Sequence, residues 1–116
     1  MKTVSIVLAV FFSVFNTSTF AQHNTQKDTV KVWGNCTMCK KTIEQAAKSA
    51  GAVSASWNKE TRLLNVSYPS GKSSAAVIQQ AIAKAGYDTR DFAADNTAYE
   101  ALSPCCQYER KEATKQ

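Results

Sequence analysis

Between Thr29 and Phe92 the apolar residues switch repeatedly between a period of two and a period near 3.6, and this alternation constrains the fold more than any other feature. Thr29-Val30-Lys31-Val32-Trp33 alternates apolar with polar, the pattern of a half-buried strand. After the turn signal Gly34-Asn35, Cys39, Ile43, Ala46, Ala47 and Ala50 form one stripe of a helix predicted over Thr37–Ala50, with Gly51 as its stop. Val53, Ala55 and Trp57 alternate, Asn58-Lys59-Glu60-Thr61 interrupts, and Leu64, Val66 and Tyr68 alternate again, which predicts a hairpin with one apolar face. Pro69-Ser70-Gly71 turns the chain, and Ser73 or Ser74 caps a second helix. Its stripe is Val77, Ile78, Ala81, Ile82 and Ala85, and Gly86 ends it. A last short strand is expected over Tyr87–Phe92.

The order β-α-β-β-α-β, with hairpin pairing and right-handed crossovers, leads to an α+β fold, the ferredoxin-like split β-α-β sandwich. A four-stranded antiparallel sheet then carries two helices on one face. In that topology the turns after the first strand and before the last share one end of the sheet, so Cys36 and Tyr87 should be neighbours.

The flanks read differently. Met1-Lys2, an apolar run from Val4 to Phe15 and the small residue Ala21 have the form of a secretory signal peptide, the run being too short for a permanent transmembrane helix. The expected divisions are 1–21, signal peptide; 22–28, a flexible start carrying the lone His23; 29–92, the folded domain; and 93–116, a cysteine-containing tail. Beyond residue 21 only eleven Val, Ile and Leu remain, enough for one small core and no membrane span. The protein is expected to be periplasmic or secreted. Net charge falls from +5 to about +4 without Lys2. In an exported protein that balance points to an acidic partner surface rather than nucleic acid. In the tail, Thr97-Ala98-Tyr99-Glu100 has the capping-box form, and a short helix is expected to run to Leu102 before Pro104. Cys105-Cys106 follows, and then a charged end, Glu109-Arg110-Lys111-Glu112.

Chemistry concentrates in Gly34-Asn35-Cys36-Thr37-Met38-Cys39. Thiols three apart across a loop-to-helix junction lie on one side of the first turn and can point at one atom. Helix-start amides, with Lys40 and Lys41, favour thiolate. Two thiolates without carboxylate or imidazole select a soft ion, Cu(I) foremost, over Mg or Ca. A closed zinc site normally takes four ligands and this loop supplies two, so the site is open and suited to passing metal on. Hg(II) and Zn(II) remain alternatives. Two other readings of the pair are a structural disulfide and a dithiol redox centre. Trp33 upstream suits the redox centre, but Pro69 falls in a hairpin-to-helix turn rather than opposite the pair.

The combination resembles the heavy-metal-associated domain family of copper chaperones, copper-ATPase amino-terminal domains and the periplasmic mercury-binding protein. The matching features are Cys36-x-x-Cys39, Ile43, Glu44, Gly51-Ala52-Val53, Leu64-Asn65-Val66 and Ala85-Gly86-Tyr87. The resemblance implies that Cys36 and Cys39 are the metal ligands and that Tyr87 is an aromatic neighbour of the ion; by their place beside the pair, Met38 and Lys40 are expected in the surroundings. It also implies a non-enzymatic carrier that delivers to a metal-transporting membrane protein or another thiol or thioether acceptor, as a monomer or a metal-bridged dimer. One departure stands out: the family's usual Gly-Met-x-Cys is replaced by Gly34-Asn35-Cys36, which lacks the buried loop methionine. Met38 is expected to fill the loop or core rather than ligate.

Cys105 and Cys106 lie outside the resemblance. Adjacent cysteines bridge each other only with strain. The twelve residues after Phe92 can span the length of the sheet, so the tail can bring one or both thiols to Cys36 and Cys39. An independent metal-binding or partner-docking tail and a disulfide to Cys36 or Cys39 are the alternatives. An exported thiol-disulfide oxidoreductase, with Cys36 as nucleophile and a tail cysteine resolving, is the rival from another class.

Overall fold

A computed structural model describes residues 24–111, so the signal-peptide segment and His23 lie outside the described residues. Its elements are β1 (Thr25–Lys31), α1 (Thr37–Ser49), β2 (Ser54–Trp57), β3 (Leu63–Pro69), α2 (Ala75–Lys84) and α3 (Asn96–Glu100), followed by a 3-10 turn at Pro104–Cys106. The sheet is antiparallel in the order β1-β3-β2, with Val30 opposite Leu64 and Trp57 opposite the same residue from the other side. Leu64, Val66 and Tyr68 point inward from β3, as the alternation requires, while Leu63 and Asn65 face solvent. Among the described residues no helix is long and apolar enough to cross a membrane.

The α+β architecture is the expected one, and several boundaries move. The first strand starts at Thr25, inside the stretch expected to be flexible, because Thr25–Lys31 pairs along its whole length with Leu63–Pro69. Those backbone bonds require no apolar side chain, so alternation could not reveal them. The expected fourth strand is reduced to a single bridge, Val32 to Thr89. Trp33 N donates to the Asp88 carbonyl and Arg90 N to that of Lys31, each at 2.9 Å. Val32 N instead donates to Arg62 O, toward β3. The segment therefore lies on the outer edge of β1 in the fourth-strand position. It turns away at once, because Thr89 N bonds Phe92 O and the Asp88 carboxylate takes the Ala94 amide at 2.7 Å.

The helices cover one face. Cys39, Ile43 and Ala47 of α1 and Ile78 and Ile82 of α2 are fully buried against Val30, Val32, Trp57 and Leu64. Burying an aliphatic side chain of this size contributes about 1.5–3 kcal/mol. Ser74 caps α2 as expected, accepting from Val77 N at 3.1 Å. The α2 stripe is rotated from the expected one: Val77 is exposed and Gln79 buried. Gln79 can be buried because its amide exchanges two 2.9 Å bonds with Asp91. Val53, expected on the apolar face, is likewise exposed, lying just before β2. The cap of α3 is Asp95, not Thr97; its carboxylate accepts from Thr97 N and Ala98 N, and the helix ends at Glu100.

Gly86 has φ +107, which L side chains disfavour, and a Cβ there would stand 3.0 Å from the backbone of Ala98. This glycine both ends α2 and lets α3 lie directly on the chain.

Candidate metal centre

The loop between β1 and α1 is held from below. Trp57 donates from Nε1 to Val32 O at 3.0 Å, and its ring lies where a side chain on Gly34 would stand. Gly34 is thus needed for the loop to pass between Trp57 and Cys39. Cys36 is the N-cap residue of α1 and is partly exposed; Cys39, one turn on, is fully buried. Their sulfurs are 3.2 Å apart. Asn35 Oδ1 accepts from Cys39 Sγ at 3.3 Å, so the loop that lacks methionine supplies a polar acceptor to the buried thiol.

The tail brings a third sulfur. Cys106 Sγ is 3.5 Å from Cys36 Sγ, and the sulfurs of Cys36, Cys39 and Cys106 all lie within 4.8 Å of one another. All four cysteines are free. At about 2.3 Å from a common ion, three thiolates stand roughly 4 Å apart, so the group can close on one ion with small adjustments. Cys105 does not join it. Its exposed Sγ is 3.9 Å from Cys106 and 3.7 Å from Met38 Sδ. Met38 is 56% exposed, so it fills neither loop nor core.

Charge is distributed unevenly between Cys36 and Cys106. Burial opposes ionisation of Cys36, but hydrogen bonding from Cys39 and Cys106 and the electrostatic pull of the Met38 and Cys39 amides outweigh it, bringing the thiol to about 7. Burial, and then hydrogen bonding with the Cys39, Cys36 and Cys105 sulfurs, pushes Cys106 up. Cys36 is therefore a thiolate before Cys106, which hydrogen-bonds to it. The Lys40 ammonium contacts Glu44 Oε2 at 2.5 Å and Trp57 O at 3.1 Å. That pairing, with the Trp57 amide, ties α1 to β2 through Glu44. Tyr87 is buried, and its hydroxyl is held protonated by burial and by the Cys39 and Cys106 sulfurs beside it.

What fastens Cys106 was not singled out in the sequence. Tyr108 stacks on Tyr87 at 5.6 Å and receives the edge of Tyr99 at 5.1 Å. Its hydroxyl accepts from Asp88 N and donates to Gly86 O, while Tyr99 donates to Tyr108 O. Asp88, fully buried, receives Arg110 through two bonds of 2.6 and 2.9 Å and the amides of Ala94 and Lys111. Burial would raise its carboxyl, but Arg110 and these amides hold it below the ordinary range. A tail rich in Tyr beside a charged end was the available signal; the pairing of Arg110 with Asp88, 22 residues apart, has no sequence signature.

No protein-family model matches the sequence, and no curated protein matches it either. Solved structures do. The CopZ metallochaperone is 30% identical with a TM-score of 0.53, over 55% of this chain and 98% of its own. Oxidised MerP from Ralstonia metallidurans CH34 is 31% identical with a TM-score of 0.53, over 56% of this chain and 93% of its own. The chain belongs to the heavy-metal-associated domain family. A third heavy-metal-associated neighbour is the Cu(I)-loaded N-terminal domain of a potential copper-translocating P-type ATPase from Bacillus subtilis. It is 25% identical with a TM-score of 0.53, over 56% of this chain and 84% of its own.

Proposed function

We propose that this protein is an exported carrier rather than an enzyme, which captures a soft ion, Cu(I) foremost, and hands it on by ligand exchange. The folded unit is residues 29–92 with the start of its first strand, and Cys106 of the tail completes the site. The observation that carries the reading is the convergence of the Cys36, Cys39 and Cys106 sulfurs within 4.8 Å. Thiolates without a hard donor favour Cu(I) or Hg(II) over hard cations. Likeness to the CopZ metallochaperone supports a carrier, and likeness to a Cu(I)-loaded ATPase domain supports copper; two thiolates also suit Hg(II), which is the second reading.

Transfer follows from exposure. An acceptor thiol or thioether, such as that of a metal-transporting membrane protein, reaches the ion from the open side. Cys36, partly exposed at the helix start, leaves first; Cys39, fully buried, leaves last. The third sulfur keeps the ion coordinated while one ligand is replaced.

The test is anaerobic titration of reduced protein with Cu(I) against a competing chelator. One ion per chain should bind tightly, and Cys106→Ser should weaken it by at least about tenfold, the minimum expected when a site loses more than a supporting hydrogen bond. Feeble Cu(I) binding with rapid reduction of insulin disulfides would make the protein an oxidoreductase. Unchanged affinity in Cys106→Ser would remove the tail from the site.

A further inference from the structure

The sulfurs do not stop at the three-thiol group. Cys39, Cys36, Cys106, Cys105 and Met38 form an unbroken series with successive separations of 3.2, 3.5, 3.9 and 3.7 Å, running from a fully buried thiol to an exposed thioether. The outer two members have no role in the centre described above. Met38 is a large apolar side chain more than half exposed, on a helix whose buried residues are Cys39, Ile43 and Ala47. Opposite its sulfur lies the thiol of Cys105, delivered by the tail turn Pro104–Cys106.

We propose that Met38 Sδ and Cys105 Sγ form a second, outer subsite for a soft monovalent ion, sharing Cys106 with the inner group. This rests on the function proposed above. A thioether brings a lone pair and no charge, and Cys105 releases one proton to solvent as its sulfur binds. The outer subsite therefore has less negative charge than the inner group and holds its ion more weakly. Cys106, 3.5 Å from Cys36 and 3.9 Å from Cys105, is placed to bridge the two. An ion reaching the protein from solvent meets the exposed pair first and can move inward one sulfur at a time.

The experiment is Cu(I) titration of the reduced, full chain under argon, with bicinchoninate as competitor, for the wild type, Met38→Leu and Cys105→Ser. Both positions are exposed, so both variants should fold. The wild type should take a second Cu(I) at least about tenfold more weakly than the first. Each variant should keep the first ion at wild-type affinity and lose the second. With 13C-methyl methionine, the Met38 resonance should move during the second equivalent and stay in place during the first. A wild type that stops at one tightly held ion overturns the outer subsite and leaves the proposed function standing. A second ion that persists in both variants, or binds without moving the Met38 methyl, also overturns it. Absence of a tight first ion overturns the proposed function itself.

Discussion

Replacing Arg110 by methionine should release the tail while sparing the sheet. The guanidinium makes two bonds to a fully buried carboxylate, at 2.6 and 2.9 Å, and reaches Asn96 Oδ1 at 3.1 Å. Without it, among the described residues, Asp88 keeps the Ala94 and Lys111 amides. Removing one partner of a buried pair costs about 3–5 kcal/mol. The Arg110 side chain is 20% exposed, so water can partly compensate, and the low end, about 3 kcal/mol, applies. If that cost falls on docking of the tail, the open population rises on the order of a hundredfold. The assay is N-ethylmaleimide labelling of reduced, metal-free protein, with Cys106 followed by peptide mass and amide exchange followed at Leu64 and Val66. Cys106 should react about a hundredfold faster in Arg110→Met, with β3 exchange nearly unchanged. Arg110→Lys, which keeps the charge and loses the fork, should fall between. Unchanged labelling would refute the latch. Equal acceleration of Cys106 and of β3 exchange would show that the ion pair supports the whole domain instead.

Cys36, with its thiol at about 7 against an ordinary 9.0, should be alkylated by iodoacetamide at a rate that climbs with pH and levels just above neutrality. Because the folded value is the lower one, the stabilisation from its thiolate is complete above 9.0 and fades as pH falls toward 7. A rate still climbing steeply at pH 9 would contradict the assignment. Gly86→Ala should lower stability by about 2–4 kcal/mol, from the φ of +107 and the 3.0 Å approach to Ala98. Gly71→Ala, with open space around it, is the control, and equal melting temperatures for the two would refute the argument.

The helices and the hairpin could be read from the sequence because their apolar residues recur at the period of the element, as Cys39, Ile43 and Ala47 do on α1. The Cys36–Cys39 pair was legible for a related reason: spacing along one helical turn is a local property. Elements held by backbone bonds or long-range polar pairs were not. Thr25–Asp28 extends β1 without an apolar signal, and Tyr87–Phe92 had the composition of a strand yet was diverted by Asp88 and Thr89. Gln79 looked like a surface residue until Asp91 supplied its partner. The tail was within reach of the first pair by length alone. Only the fold separates Cys106, which faces Cys36, from Cys105, which faces Met38.

Cys36 and Cys106 stand 70 positions apart in the chain. An ion shared between them would act as a removable cross-link, closing a loop whose entropic worth in the denatured chain is about 4 kcal/mol on the scale known for disulfides. Loading would then tighten the molecule against heat and proteases, and unloading would loosen it. A cell could thereby clear empty copies faster than full ones, with no separate sensor.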